Sequence, residues 1–286
     1  MPRVAIVTGG SSGIGKALCA ALVARGDAVV VAARTEADVR RVAGELNARG
    51  PGSATPAVLD VRDAAAVRKL VEGVRAQHGR LDLLINNAGV AVAALFEEMT
   101  PAYWEQCYDT NVRGVLNGVW AAYPIMAEQG HGQIANTASV AGLVPAPLQT
   151  PYTATKHAVV ALSISLRLEA QRHGVRVNVI CPGLIETPIL DKGHPPGLPA
   201  PRHEVHDVRR LLTHALRAAP YPADRLAVEV LRDLDRNKAV IVHPASARLM
   251  WLLYRLAPRV AEVYGRRYVA WAVKRMKDTA RVSTNA

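Results

Sequence analysis

The chain has 286 residues, half of them hydrophobic, and a formal net charge of +11. That composition excludes a disordered chain, and no apolar run reaches the roughly 18–20 residues of a membrane-spanning helix. Cys19, Cys107 and Cys181 are too few and too scattered for a disulfide framework or a zinc site, and the positive charge is not spread over the chain. Residues 245–286 hold nine Lys and Arg against two acidic residues, so +7 of the +11 lies in that tail. No nucleic-acid-binding motif accompanies it, and no nucleic acid is expected as a partner.

The opening "MPRVAIVTGG" enters a strand at once, which leaves no room for a leader peptide and, with the scattered cysteines, predicts a cytoplasmic protein. Strands are predicted over 4–9, 28–33, 56–61, 81–87, 132–139, 175–182 and 239–244. Helical spacing occupies 13–25, 36–48, 63–78, 101–129 and 152–173. Strands that are apolar without alternation belong to a parallel sheet covered on both faces. Their alternation with helices predicts an α/β fold, a doubly wound parallel seven-stranded sheet with right-handed crossovers. Ligands of such sheets lie beyond the carboxyl ends of the strands.

The first strand runs into "TGGSSGIGKA", with Gly9, Gly13 and Gly15 spaced G-x-x-x-G-x-G. A strand, a glycine turn and a helix start place free backbone N–H groups against an anion. Gly13 and Gly15 let the backbone approach a pyrophosphate. "NNAG" (86–89) ends the fourth strand, and Asn111 lies inside the long helical segment after it. Ser139 follows the fifth strand, Tyr152 comes thirteen residues later, and Lys156 shares a helix face with Tyr152 at i+4. "CPGLIETPI" (181–189) follows the sixth strand.

In this order the motifs closely resemble the short-chain dehydrogenase/reductase family, over about residues 3–244. The resemblance implies a Rossmann fold and hydride transfer between a nicotinamide and an alcohol, ketone or aldehyde. It implies that Tyr152 exchanges the proton, Ser139 orients the reacting oxygen, Lys156 holds the nicotinamide ribose, and Asn111 completes a water relay to the lysine. It also places the dinucleotide along Gly9, Ser11, Ser12, Gly13, Ile14 and Gly15. Further along the chain it implicates Asp60, Val61, Asn87, Ala88, Gly89, Pro182, Gly183 and Thr187. A free phenol titrates near 10, too high for a good base at neutral pH, and a neighbouring Lys156 is expected to lower it. The rival reading is a non-catalytic dinucleotide sensor or scaffold on the same fold, which would need only the glycine turn.

The second strand ends "VVVAART", with Ala33 where an acidic residue would hold an NAD ribose and Arg34 after it. Arg34 can pair with a 2′-phosphate, so NADP(H) is favoured over NAD(H), although Ser12 stands where many NADP-preferring relatives carry a basic residue. No metal is needed, and His194, His203 and His206 lack a helical ligand pattern.

Two segments depart from the family pattern. The catalytic domain, 1–244, carries a substrate loop over 184–217, where Leu184, Ile185, Ile189, Leu190, Leu211 and Leu212 are candidates for an apolar pocket wall, suited to a lipophilic substrate. Core packing would explain the same leucines. The extension 245–286 reads as a basic amphipathic helical tail broken at Pro258, with Arg248, Arg255, Arg259, Arg266 and Lys274 along roughly one face and Trp251 and Trp271 among apolar residues. Two readings stand open: a cover for the protein's own core or a dimer interface, and a peripheral contact with an anionic membrane surface. A homodimer or homotetramer is expected.

Overall fold

The computed structural model describes residues 2–191, 197–199, 201, 209, 212–213 and 218–284, with side chains to residue 276. His194, His203, His206 and Leu211 lie outside the described residues. The strands are β1 (Val4–Thr8), β2 (Ala28–Ala33), β3 (Ser53–Val58), β4 (Leu83–Asn86), β5 (Gly132–Thr137), β6 (Val175–Pro182) and β7 (Val240–His243). They form one parallel sheet in the order β3-β2-β1-β4-β5-β6-β7. The crossover from β3 to β4, past β1, opens the crevice at the carboxyl ends where a ligand of this fold sits.

Both faces of the sheet are covered, which is why β1 and β4 are buried along their whole length. On one side lie α1 (Gly13–Ala24), α2 (Glu36–Asn47) and α7 (Ala223–Asp235), through Leu18, Leu22, Val39, Val42, Leu226 and Val230. On the other lie α3 (Ala64–His78), α5 (Gly114–Gln129) and α6 (Thr150–Ala170), through Val71, Val74, Val115, Val119, Val159 and Val160. Asp63 caps α3 by accepting from the Ala65 and Ala66 N–H groups, and Gly79 ends it in the left-handed conformation.

Two predicted elements shift. The third strand is Ser53–Val58 rather than 56–61. It is an edge strand, paired only with β2, so Pro56 costs it no ladder bond. Asn47 fixes its start by accepting from Ala54 N (2.7 Å) and donating to Ala54 O (2.9 Å). The segment 101–129 is not one helix. It divides into α4 (Pro101–Tyr108), a π turn over Asp109–Arg113, and α5.

The tail forms α8 (Ala245–Leu256) and α9 (Pro258–Thr284), broken at Pro258 as its missing N–H predicts. α8 buries Ala247 and packs Met250, Trp251 and Tyr254 on the domain core. α9 packs Tyr268, Trp271, Ala272 and Met276 against Leu148, Ala93 and Leu95.

Candidate active site

The glycine turn is shaped by contacts that side chains would break. Gly9 has φ +65°, and a Cβ there would stand 2.9 Å from Ala88 Cα. A Cβ on Gly15 would fall 2.2 Å from Gly9 O. Thr8 ties this turn to the end of β4: its Oγ1 accepts from the N–H groups of Asn87 (2.9 Å) and Ala88 (3.1 Å). Asn87 Nδ2 donates to Thr8 O at 3.1 Å. Thr187 closes the opposite side, since a Cβ on Gly13 would meet its Cγ2 at 3.0 Å. At the N-terminus of α1, Ser12 adopts a cap conformation but makes no side-chain cap bond. The first N–H groups of this helix therefore face the crevice with the positive end of the helix dipole, which is the chemistry an anionic diphosphate requires.

Arg34 and Asp60 stand just past the ends of β2 and β3. Arg34 is exposed there, and its charge helps hold the Asp60 carboxyl below its usual range. The larger cause is Arg62, which donates to both Asp60 oxygens, at 3.0 Å from Nε and 2.6 Å from Nη2. Sequence reasoning named Asp60 and Arg34 and missed Arg62; the signal was its place two residues after Asp60. Val61 is buried beside them.

The catalytic candidates converge from three elements. Ser139 lies two residues past β5, and its Oγ accepts from Ala141 N at 3.1 Å. Tyr152 and Lys156 stand one turn apart near the start of α6, with Lys156 Nζ 5.6 Å from the centroid of the Tyr152 ring. Lys156 is buried and donates to Thr137 O at 2.8 Å. Gly89 sits between the groups: a Cβ there would lie 3.1 Å from Asn111 Oδ1 and 3.5 Å from Lys156 Nζ.

The electrostatics differ from the expectation that Lys156 lowers the phenol. Burial holds Tyr152 above its ordinary range, against the opposing pull of its hydrogen bond with Ser139. Burial also brings Lys156 down to about 8. Cys107 and Cys181 border this pocket, and burial pushes both thiols up to about 12, so they stay neutral. The ammonium is therefore costly where it stands, and the phenol is kept in its protonated, proton-donating form.

Asn111 lies between α4 and α5. It is fully buried in the π turn, and its amide accepts from Val90 N (2.9 Å) and donates to Val90 O (2.9 Å) and Thr155 Oγ1 (3.1 Å). These bonds lock the segment after "NNAG" to α6. The π turn that holds it is a helix irregularity of a kind frequent at functional sites.

On the substrate side, Val92, Ala94, Tyr103 and Cys107 form a buried apolar group to which Val90 and Leu198 add. The Tyr103 hydroxyl donates to Pro199 O, fastening that part of the loop. Leu184, Ile185 and Leu190 are buried, Leu212 is partly buried and Ile189 is exposed. Arg209 clasps the loop by pairing with Glu186 and Asp191, both at 2.6 Å. Pro182 and Gly183 join this side to the tail: Gly183 N donates to His243 O at 2.8 Å, and a Cβ on it would meet Ala247 Cβ at 2.9 Å. Among the described residues, no group of three His, Cys, Asp or Glu is arranged to hold a metal.

Comparison with known proteins agrees with this architecture. A family model described as short chain dehydrogenase matches residues 3–195. A putative ketoacyl reductase of the monensin polyketide synthase from Streptomyces virginiae is 39% identical over 192 residues, 66% of this chain and 73% of that protein. A short-chain dehydrogenase/reductase from Burkholderia phymatum, solved in complex with NAD, superposes with a TM-score of 0.79 at 30% identity, covering 89% of this chain and 95% of the other. A short-chain dehydrogenase from Sphingobium yanoikuyae in complex with NADPH gives 0.74 at 26% identity, covering 91% and 95%. With the glycine turn, the seven-stranded order and the Ser–Tyr–Lys cluster all in place, the chain belongs to the short-chain dehydrogenase/reductase family of oxidoreductases.

Proposed function

We propose that the protein is an NADP(H)-dependent oxidoreductase that interconverts an alcohol and a ketone or aldehyde on a lipophilic substrate, with Tyr152 as the acid and base. The observation that carries this reading is the meeting of the Ser139 hydroxyl, the Tyr152 phenol and the Lys156 ammonium beside a glycine turn fit for a diphosphate. When bound, the nicotinamide supplies or accepts the hydride. The residues of the chain do the rest. Ser139 Oγ hydrogen-bonds the substrate oxygen and orients it, and Tyr152 Oη delivers a proton to that oxygen during reduction. A phenol held protonated by burial suits this direction. Lys156 contributes a positive charge that stabilises the phenolate left behind. Water returns the proton past the π turn of Asn111.

The choice of NADP(H) rests on Arg34, an exposed cation just past β2, and on Ala33 in place of an acid; Arg62 is engaged by Asp60. Solved relatives carry NAD in one case and NADPH in another. The apolar group around Val92 and Tyr103, with Leu198 packed against it and Pro199 O bonded to the Tyr103 hydroxyl, supports a lipophilic substrate. We assign 1–244 to the catalytic domain and 245–286 to an extension. A cytoplasmic homodimer or homotetramer, touching a membrane peripherally through that extension, completes the reading.

A panel of lipophilic ketones and alcohols with NADPH, NADH and their oxidised forms, followed by absorbance of the reduced nicotinamide, tests it. Turnover with NADPH well above that with NADH is expected. No turnover of any compound with either cofactor would contradict it.

A further inference from the structure

α8 is apolar on both sides, and among the described residues only one side packs on the domain. Ala247, Met250, Trp251 and Tyr254 face the domain. The opposite face is Leu249, Leu252, Leu253 and Leu256, spaced i, i+3, i+4 and i+7, each between 51 and 75% exposed. Val260 and Val263 continue the exposed apolar surface into the first turns of α9, at 68 and 51%. Scattered single leucines on a surface need no explanation, but four on one helix face do. The surroundings are basic. Residues 245–276 contain Arg248, Arg255, Arg259, Arg266, Arg267, Lys274 and Arg275 against a single acid, Glu262, which pairs with Arg266.

From this we infer that the leucine face of α8, with the opening turns of α9, docks into the surface of an anionic lipid bilayer. The leucines enter the boundary of the acyl chains and the arginines meet headgroup phosphates. Charge decides the occupant. A second copy of the same face would bring two segments together that each carry a net charge of +6 over residues 245–276, seven cations less one acid, whereas a bilayer carrying negative headgroups complements them. Among the described residues no helix is long and apolar enough to cross a membrane, so the contact is along the surface.

The docking face is tied to the substrate side. α9 lies on the rim of the site: Tyr268, Trp271, Ala272 and Met276 cover Leu148, Ala93 and Leu95. Leu148, four residues before Tyr152, has φ +67°, a strained value for a leucine, and its carbonyl accepts from Ala94 N at 2.9 Å. The strand-end loop carrying Ala93 and the loop before α6 are thus joined under α9. A docked protein holds that rim against the lipid, so a lipophilic substrate enters from the bilayer. The docking gives the peripheral contact of the function proposed above its face and its lipid, and the delivery of substrate rests on the enzymatic part of that reading.

The full chain is sedimented with vesicles of phosphatidylcholine alone and with vesicles of equal parts phosphatidylcholine and phosphatidylglycerol, at low salt. Partitioning to the mixed vesicles is expected, weakened by added salt and lost by about tenfold or more in Leu252→Glu/Leu256→Glu. Both leucines are exposed, so the variant should turn over a water-soluble ketone from the panel as the unsubstituted protein does. Its KM for a long-chain ketone presented in the mixed vesicles should rise while kcat holds. Docking is overturned if the unsubstituted chain stays in the supernatant, if the variant sediments equally, or if the substitutions instead dissociate a dimer. Delivery from the lipid is overturned if docking is lost and that KM does not change. Vesicle binding with no ketone reduced at all would sink the enzymatic reading and leave docking intact.

Discussion

The two ends of this chain solve opposite problems with similar residues. In β1 every residue is buried, and at the glycine turn backbone packs on backbone so closely that Gly15 has no room for a Cβ. In α8 the inward face is also apolar, yet leucines cover the outward face as well. In the first region Thr8 is held by Asn87 and Ala88 and Asn111 by Val90 and Thr155, while the first N–H groups of α1 are left to the crevice. The second is open, with hydrophobic surface and positive charge both turned to solvent. Burial in the first shifts proton affinities, as at Lys156 and Tyr152, and burial of that kind is how catalytic groups are tuned. The same leucines that would complete a core elsewhere stand ready for an outside partner.

Substitutions should expose the contrast. The largest effect is expected at Lys156→Met, which removes the ammonium beside the phenol: turnover should fall by about 10²-fold or more in initial-rate assays. The same variant sharpens the electrostatics. Lys156 titrates near 8 in the folded, cofactor-free protein, below its free value near 10.5. Between those pH values the unfolded chain binds more protons, so stability rises with pH across that window, by at most roughly 3 kcal/mol. Denaturant melts of the cofactor-free protein from pH 7 to 10.5 should show this rise, and Lys156→Met should flatten it. An unchanged slope in the variant would place the proton elsewhere.

Next in size is Gly15→Ala. Its Cβ meets backbone, which cannot swing away, so about 1–3 kcal/mol of stability should be lost in denaturant melts, together with dinucleotide binding. Arg34→Ala should come third. Losing one charge-assisted bond to a 2′-phosphate is worth about 1.5–3 kcal/mol, which would lower kcat/KM for NADPH roughly tenfold to a hundredfold and leave NADH nearly unchanged. An equal loss with both cofactors would rule out the phosphate contact. The smallest change is expected in the open region: Leu253→Ser, on an exposed face, should move the melting midpoint by no more than about 0.5 kcal/mol in stability. A large loss there would mean that the leucine face is covered in solution.

Much of the first region was legible in the sequence because it is written in local backbone chemistry. A glycine turn between strand and helix, a small-residue strand end and a Tyr–Lys pair at helical spacing each require only neighbouring residues. The parts that were not legible depend on distant contacts. β3 starts at Ser53 because β2 and Asn47 pair its backbone, and no alternation of Ser, Thr and Pro announces that. The π turn depends on Val90, twenty-one residues before Asn111. The raised phenol follows from burial, which the i+4 spacing of Lys156 does not reveal. In the tail, the stripe of arginines was readable, but α8 is apolar on two faces, and only packing shows that Met250, Trp251 and Tyr254 turn inward while the leucines turn out.

The central claim is that the Tyr152 hydroxyl moves the proton in a hydride-transfer site, and Tyr152→Phe tests it most directly. Removing one oxygen should leave the fold and dinucleotide affinity intact, read by quenching or enhancement of the reduced-nicotinamide fluorescence. Turnover of the best ketone from the panel should fall by about 10²–10⁴-fold. A variant that binds the cofactor and reduces the ketone at the original rate would contradict the account.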